Sequence, residues 1–268
     1  MLFLGDSVTL ADYLPYEESF PARVAESARK KGQDWEVINA AVGAISLENE
    51  LAILLETGLS VEPDVVVVNF YLNDFAASPG VYLPPVPEGI RWSRFLHYGH
   101  LIMTNYLASI QLETQPVEEG VDLEAWKTTL ESRLPTEEGD FRTNAKAFNR
   151  LIVKHLRRWG GAWTEEAWAR MTPYFETMAQ LAKQHNFNLA LIIHPVRYQV
   201  EAEALHDFPQ RQIQAVGEKI GAPVLDLLPP LRTAWKNHKT RLFFDHCHHT
   251  PEGSALVAKA IEEFLGSR

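Results

Sequence analysis

A serine near the start of this chain has the surroundings that a nucleophile needs. The apolar residues Met1–Leu4 lead into Gly5, Asp6 and Ser7. A glycine that ends a buried strand permits a tight turn, and the free backbone N–H groups of the next helix then face the serine. Such a serine can attack a carbonyl carbon while its own N–H receives the developing oxyanion. By itself, Gly-Asp-Ser is also ordinary turn chemistry.

The partners that a nucleophilic serine requires lie at the other end of the chain. Asp245 and His248 are three positions apart, just before a segment with helical spacing. Histidine is the best general base near neutral pH when a third group fixes its tautomer and stabilises its protonated form. With this spacing the carboxylate can reach one ring nitrogen while the other faces Ser7. Thr250 and Pro251 are expected to cap and begin the helix that follows.

A third polar group follows a strand in the middle of the chain. The run Asp64–Phe70 contains four consecutive valines, which is typical of a strand buried on both faces. Asn73 and Asp74 come shortly after it. An asparagine at the carboxyl end of a central parallel strand lies where such sheets bind ligands, and its amide can complete an oxyanion hole. A turn or capping role for Asn73 or Asp74 is the alternative.

Together these three groups resemble the sequence blocks of the SGNH (GDSL-type) hydrolase family. The family's first, third and last blocks are matched, in the family's order and over nearly the whole chain, by Gly5-Asp6-Ser7, Asn73-Asp74 and Asp245-x-x-His248. The resemblance implies a serine ester hydrolase (carboxylesterase or acylhydrolase). Its substrate would be a small-molecule or glycan ester.

The mechanism that these residues indicate is acyl transfer through a Ser-His-Asp triad. Ser7 attacks the ester carbonyl, His248 takes its proton and returns it to the leaving alcohol, and Asp245 orients His248. Water then releases the acyl group, and no metal or organic cofactor is required. The oxyanion is held by backbone N–H groups and one side-chain amide, which belong to Ser7, Gly43, Ala44 and Asn73.

Two positions depart from the family's pattern. Ala44 stands where the family usually has the glycine of its oxyanion hole, with Gly43 one residue early, and Tyr71 stands where the third block most often has glycine. The donor at Ala44 is a backbone N–H, which alanine also has, so the role requires a backbone there that avoids positive φ. Both departures are expected to narrow the pocket, which favours short acyl groups.

Other polar side chains near the predicted site allow further interpretations. The candidate substrate contacts are Tyr71, Asp74, His194 and Arg197, with loop packing an equal alternative for the arginine. The histidines at 246, 248 and 249 invite a metal-site interpretation, with His194 and His238 as further ligands. Zinc ligands usually have helical or knuckle spacing and a fourth ligand, and neither is evident here. We therefore expect no metal.

The rest of the sequence predicts an α/β fold, because short β-rich runs alternate with helical patterns. The predicted strands are Met1–Leu4, Trp35–Asn39, Asp64–Phe70, Asn188–His194 and Pro223–Leu227. The predicted helices between them are Phe20–Lys31, Leu47–Thr57, Glu165–His185 and Gln210–Ile220. This alternation favours right-handed crossovers and a three-layer α/β/α sandwich around a five-stranded parallel sheet. The flavodoxin-like order 2-1-3-4-5, which is also the family's, brings Ser7, the loop Asn39–Ala44 and Asn73 to one edge.

One domain of residues 1–268 is expected, with a mostly helical subdomain inserted between the third and fourth strands at 78–162. The insertion begins with the proline-rich Pro79–Pro87 and contains the aromatic run Trp92–Leu112 and an amphipathic helix, Phe141–Trp159. Five of the seven tryptophans lie between Trp92 and Trp168. Such aromatic content suggests a cap over an acyl or aryl pocket. The alternatives are the insertion's own core or a homodimer face.

Composition excludes several other classes of protein. The formal net charge of −10 and the absence of a Lys/Arg stripe argue against binding to nucleic acid or to an anionic membrane surface. The single cysteine excludes an intramolecular disulfide. No apolar run is long enough to span a bilayer, and no signal peptide is visible. Family members often have more residues before the first block, including export signals, so the compartment is left open, as is the oligomeric state.

Two other functions are compatible with the same residues. An O-acyltransferase or a carbohydrate O-deacetylase would use the same triad with a sugar as acyl acceptor or as substrate. A non-catalytic binding module on the same fold is the other alternative, and the intact Ser7, Asp245 and His248 argue against it.

Overall fold

A computed structural model describes residues 1–75, 140–156 and 158–266. A five-stranded parallel sheet lies at the centre, in the order β2-β1-β3-β4-β5. Its strands are β1 Leu2–Gly5, β2 Ile38–Asn39, β3 Val65–Tyr71, β4 Asn188–His194 and β5 Val224–Asp226. The predicted flavodoxin-like order is confirmed.

Helices alternate with the strands along the chain, as predicted, and the last two helices follow β5. The α-helices are α1 Ser7–Leu10, α2 Phe20–Lys30, α3 Leu47–Glu56, α4 Ala145–Lys154, α5 Glu165–His185, α6 Arg197–Glu201, α7 Phe208–Ile220, α8 Leu228–His238 and α9 Pro251–Gly266. Short 3₁₀ helices are formed by Tyr16–Glu18, Gly58–Val61 and Trp159–Trp163. Among the described helices, none combines the length and the apolar character that crossing a bilayer requires.

The alternation of side chains along β3 separates two hydrophobic layers. Val66 and Val68 pack in a cluster with residues of α3, α4, α5 and α7. Val67, on the opposite face, packs with residues of α2, α8 and α9. All three valines are fully buried, as expected for a central parallel strand covered on both faces. The three-layer α/β/α sandwich is therefore confirmed.

Some elements differ from their predicted bounds. The predicted strand Trp35–Asn39 is reduced to β2, and helix α8 was not predicted at all. The two prolines that follow Leu228 occupy the first turn of α8, where their missing N–H groups remove no intrahelical hydrogen bond. The Asp226 carboxylate accepts the N–H of Leu228 at 2.8 Å and so serves the start of this helix.

The predicted helix Phe141–Trp159 is shorter in the structure. Asn144 caps α4 by accepting N–H groups of the first turn, and the helix ends at Lys154. The chain then packs back tightly, because a Cβ at Gly160 would lie 2.3 Å from the carbonyl oxygen of Ile152. Residues 76–139 lie outside the described residues, and with them the segments Pro79–Pro87 and Trp92–Leu112. The cap therefore stays a prediction.

The turn between β1 and α1 depends on the absence of a side chain at Gly5. A Cβ there would lie 2.3 Å from Thr9 Oγ1 and 2.7 Å from Thr9 Cβ. The first turn of α1 thus closes directly against the end of β1. Asp6 caps this turn, since its Oδ1 accepts the N–H of Val8 at 2.9 Å. This close approach fixes where Ser7 leaves the sheet.

Gly5→Ala is expected to lower the free energy of unfolding by about 1–3 kcal/mol, because the new methyl group overlaps Thr9 in a closely packed site. Urea unfolding measures the change. Gly266→Ala is the matched control, since a Cβ there meets nothing within 4 Å. Equal denaturation midpoints for the two variants would contradict the tight β1–α1 turn.

Candidate active site

The structure brings Ser7, His248 and Asp245 into one hydrogen-bonded chain. Ser7 is the first residue of α1, at the carboxyl end of β1. His248 Nε2 lies 3.0 Å from Ser7 Oγ, and His248 Nδ1 lies 2.7 Å from Asp245 Oδ2. Both distances are within hydrogen-bond range, and each ring nitrogen has a different partner. The arrangement can move a proton from the serine hydroxyl to the imidazole.

A narrow hairpin of residues 242–250 holds the histidine and the aspartate. Phe244 N donates to His248 O at 2.8 Å, and Thr250 N donates to Leu242 O at 3.0 Å. Inside this hairpin, Asp245 Oδ1 accepts two backbone N–H groups at 2.8 Å, from Cys247 and His248. The Asp245 side chain is therefore fixed by its own loop before it meets the imidazole.

The start of the following helix holds the other side of this loop. Thr250 Oγ1 accepts the N–H of Gly253 at 3.2 Å, and α9 begins at Pro251. The predicted cap and first residue are therefore confirmed. Proline is tolerated here because the first N–H groups of a helix have no intrahelical partner.

The charges and hydrogen bonds among these three side chains favour a basic His248 next to an ionised Asp245. Burial alone would lower the pKa of His248, but the hydrogen bond and charge of Asp245, aided by Asp6 and Asp12, raise it above its usual value. Burial alone would raise the pKa of Asp245, but the hydrogen bond and charge of His248 lower it. A histidine of raised pKa is a stronger proton acceptor, which suits a general base.

Asn73 lies beside the turn that carries Ser7. The turn that carries it is closed by Asp74, whose N–H donates to Tyr71 O at 3.0 Å and whose Oδ2 accepts the Tyr71 N–H at 2.6 Å. Burial raises the pKa of Asp6, and a hydrogen bond from the Asn73 side chain is among the contacts that oppose this rise. Asn73 thus meets the residue that directly precedes Ser7.

The loop of Gly43 and Ala44 lies against the end of β1, where Val42 N donates to Gly5 O at 3.1 Å. Ala44 has φ 59°, in the left-handed region. The condition that its backbone avoids positive φ is therefore not met. An alanine in this conformation costs ~1–2 kcal/mol, and the loop keeps the backbone shape that glycine adopts freely.

All four candidate substrate contacts are buried, and at most 8% of each residue is exposed. They are Tyr71, Asp74, His194 and Arg197. Their partners lie inside the protein. The ring of Tyr71 lies beside His246, and its buried hydroxyl has no hydrogen-bond partner among the described residues. Arg197 lies in α6 with Glu201 nearby. Asp74 Oδ1 is buried without a hydrogen-bond partner among the described residues. The role of these four side chains in substrate contact stays a prediction.

The sequence patterns did not reveal a buried group of acids behind Ser7. Asp6, Glu50 and Asp74 are each at most 1% exposed. Burial raises the pKa of all three carboxyl groups, and for Glu50 and Asp74 the repulsion of neighbouring carboxylates raises it further. The sequence did indicate that Glu50 is buried, because it falls in the apolar stripe of α3 with Leu47, Leu51 and Leu54.

One trio among the described residues has donor atoms close enough for a metal ion. The ligand atoms of Asp245, His246 and Cys247 lie within 4.8 Å of one another. However, both carboxylate oxygens of Asp245 are already engaged. Oδ1 accepts two backbone N–H groups, and Oδ2 is hydrogen-bonded to the ring of His248. Burial and nearby carboxylates raise the pKa of the Cys247 thiol well above its usual value. These donors fit the hydrogen-bonded loop better than a metal, which requires a thiolate.

Comparison with known proteins gives a short sequence match. No model of a protein family matches the sequence. An arylesterase from Vibrio mimicus is 32% identical over 74 residues, which is 28% of this chain and 37% of that protein. The chain therefore spans little more than a third of the length of the curated relative that it matches.

Similarity to solved structures extends over nearly the whole chain. The acetyl xylan esterase AlAXEase superposes with a TM-score of 0.54 at 16% identity, covering 98% of both chains. TesA gives 0.53 at 13% identity, covering 99% of this chain and 97% of TesA. A catalytic mutant of Axe2, an acetylxylan esterase from Geobacillus stearothermophilus, gives 0.56 at 12% identity, covering 99% and 93%. At these identities the similarity shows the fold, and the fold expected from the resemblance to SGNH hydrolases is confirmed.

Asp245→Asn is expected to lower the pKa of His248, because it removes the hydrogen bond and the charge that raise it. An NMR titration of the His248 ring measures the shift. Glu263→Gln, which removes an exposed carboxylate on α9, is the control and is expected to leave that pKa unchanged. A His248 pKa that is unchanged or raised in Asp245→Asn would contradict the pairing.

Proposed function

We propose that this chain is a serine ester hydrolase with Ser7 as nucleophile, His248 as general base and Asp245 as the residue that orients the base. The observation that carries the proposal is the chain of hydrogen bonds of 3.0 and 2.7 Å through these three side chains. Further support comes from a fold shared with acetylxylan esterases and TesA and from the arylesterase match.

In the proposed reaction, the Ser7 hydroxyl gives its proton to His248 Nε2 as its oxygen attacks the ester carbonyl. The resulting imidazolium is stabilised by Asp245, and it donates the proton to the leaving alcohol. A water molecule then takes the place of the alcohol and gives a proton to His248 as its oxygen attacks the acyl-Ser7 ester. His248 returns that proton to the Ser7 oxygen as the ester bond breaks and the carboxylic acid leaves. The raised pKa of His248 places the acid limb of kcat/KM above pH 6.5, since the base must be neutral to act.

We assign the oxyanion to donors at three places on one edge of the sheet. These are the Ser7 N–H at the start of α1, the N–H groups of the Gly43–Ala44 loop and the side-chain amide of Asn73. The hydrogen bond that holds the Gly43–Ala44 loop against the end of β1 and the approach of Asn73 to Asp6 support this assignment. Donors fixed before the reaction stabilise the developing charge without reorganisation.

Removal of acyl groups from a carbohydrate is the second candidate, because two of the matched structures are named as acetylxylan esterases. The test compares two rates of hydrolysis. One is the release of acetate from acetylated xylooligosaccharides, and the other is the hydrolysis of p-nitrophenyl esters with acyl chains of two to twelve carbons. Faster turnover of the glycan favours the deacetylase. Transfer of the acyl group to an added sugar in preference to water would instead favour an acyltransferase.

Ser7→Ala is expected to lower kcat for p-nitrophenyl acetate by several orders of magnitude, with the fold intact. His248→Ala should be about as damaging, and the double variant little worse than either, because nucleophile and base act as a unit. The control is His238→Ala, an exposed histidine on α8 that should keep wild-type turnover. A well-folded Ser7→Ala variant with activity within tenfold of wild type would rule Ser7 out.

A further inference from the structure

A row of buried polar side chains connects the strand of Ser7 with the loop of His248. Asn69 Nδ2 donates to the carbonyl oxygen of Leu4 at 3.1 Å. Asn69 Oδ1 lies 3.4 Å from His194 Nε2, and His194 Nδ1 lies 3.4 Å from His249 Nε2. The three side chains belong to β3, to β4 and to the hairpin, and each residue is at most 1% exposed.

The bond to Leu4 sets the direction of every hydrogen bond in this row. Because the Asn69 amide nitrogen donates to Leu4, its oxygen accepts from His194 Nε2–H. His194 must then accept at Nδ1, so His249 donates from Nε2–H. Both rings are neutral in this arrangement. Burial lowers the pKa of both histidines, that of His249 to about 3.

A second contact fixes the backbone of the same hairpin residue. The His249 N–H donates to the Tyr13 hydroxyl at 3.0 Å. The buried Tyr13 ring also packs edge-on against the ring of His248, with centroids 4.8 Å apart. Tyr13 follows Ser7 closely along the chain, so this contact also ties the segment of the nucleophile to the hairpin of the base.

We infer that Asn69, His194 and His249 form a positioning relay that holds the base in register with the nucleophile. The inference rests on the proposed function of Ser7 and His248. His194 and His249 are both buried, and the two residues act through the hairpin. A displacement of about 1 Å between reacting groups costs on the order of 10²-fold in rate, so a shift of this hairpin should reduce turnover without preventing folding.

Three single variants separate the hydrogen bond from simple packing. His249→Leu keeps the bulk but removes the donor, and we expect kcat for p-nitrophenyl acetate to fall at least tenfold with KM nearly unchanged. His249→Gln offers an amide donor near the position of Nε2 and is expected to recover most of that loss. His185→Leu, the same change at an exposed histidine of α5, should leave kcat unchanged. A folded His249→Leu variant within twofold of wild type, or a His249→Gln variant as slow as His249→Leu, would overturn the relay.

The pH dependence of stability gives a readout that does not need esterase activity. The groups that face His249 are His194, His248, Asp245 and Tyr13. Below about pH 6.5 the unfolded chain binds protons that these buried neutral rings do not, so folded stability falls with decreasing pH toward pH 3. His249→Gln removes one such group, and its stability should fall less than that of wild type over this range.

Parallel pH curves for wild type and His249→Gln would show that His249 is not held neutral, and would overturn the relay even if His249→Leu does not fold. In wild type, ¹⁵N NMR at pH 5 should show both rings as neutral Nε2–H tautomers. A charged ring or an Nδ1–H tautomer would likewise contradict the direction assigned. A wild-type protein that hydrolyses no ester but passes these two tests would instead remove the proposed function and leave the hydrogen-bond row intact.

Discussion

The hydrogen bond between Ser7 and His248 joins residues 241 positions apart, and the arrangement of the fold serves to make it possible. The strand before Ser7 lies inside the sheet, while the histidine belongs to the hairpin before the last helix. Helix α9 packs against α2, with Ser27 Oγ donating to Glu262 at 2.6 Å and Ser254 Oγ donating to Glu18 O at 2.6 Å. The last helix is thereby held to the segment that follows Ser7.

Burial has opposite consequences for the carboxyl groups around this bond. Asp245 has a cationic partner when His248 is protonated, together with two backbone donors, and it keeps its charge. Glu50 is buried without a hydrogen-bond partner for either of its oxygens among the described residues, and its pKa is raised well above normal. Desolvation favours the neutral form of such a group. Asp245 is thus paired with His248, while burial favours the neutral form of Glu50 behind Ser7.

Sequence patterns predicted the parts of the site that depend on local order. The valine run identified β3, and alternation of strands and helices predicted a parallel sheet with right-handed crossovers. The strand order followed from the flavodoxin-like arrangement, which is also that of the family the chain resembles. The spacing of Asp245 and His248 predicted their contact, since a short loop leaves few alternatives. Helix α8 was missed because prolines at a helix start read as breakers in the absence of tertiary context.

Contacts between distant segments could not be predicted in this way. The position of His194 at the carboxyl end of β4 predicts a residue at the edge of the site, but it does not predict the partners Asn69 and His249. The packing of separate elements determines which face of the sheet a polar side chain lies on and which residues it contacts there. The relay through Asn69 and His249 is of this kind, and a lone buried histidine in a sequence gives no indication of its partner.

The most direct test of the nucleophile is to label the folded wild-type protein with a fluorophosphonate and locate the adduct by peptide mass spectrometry. Organophosphonates react with serines that an adjacent base activates. The expected result is one adduct per chain, on Ser7, with loss of ester turnover in proportion to labelling. An adduct on another serine, or undiminished turnover after complete labelling of Ser7, would contradict the account.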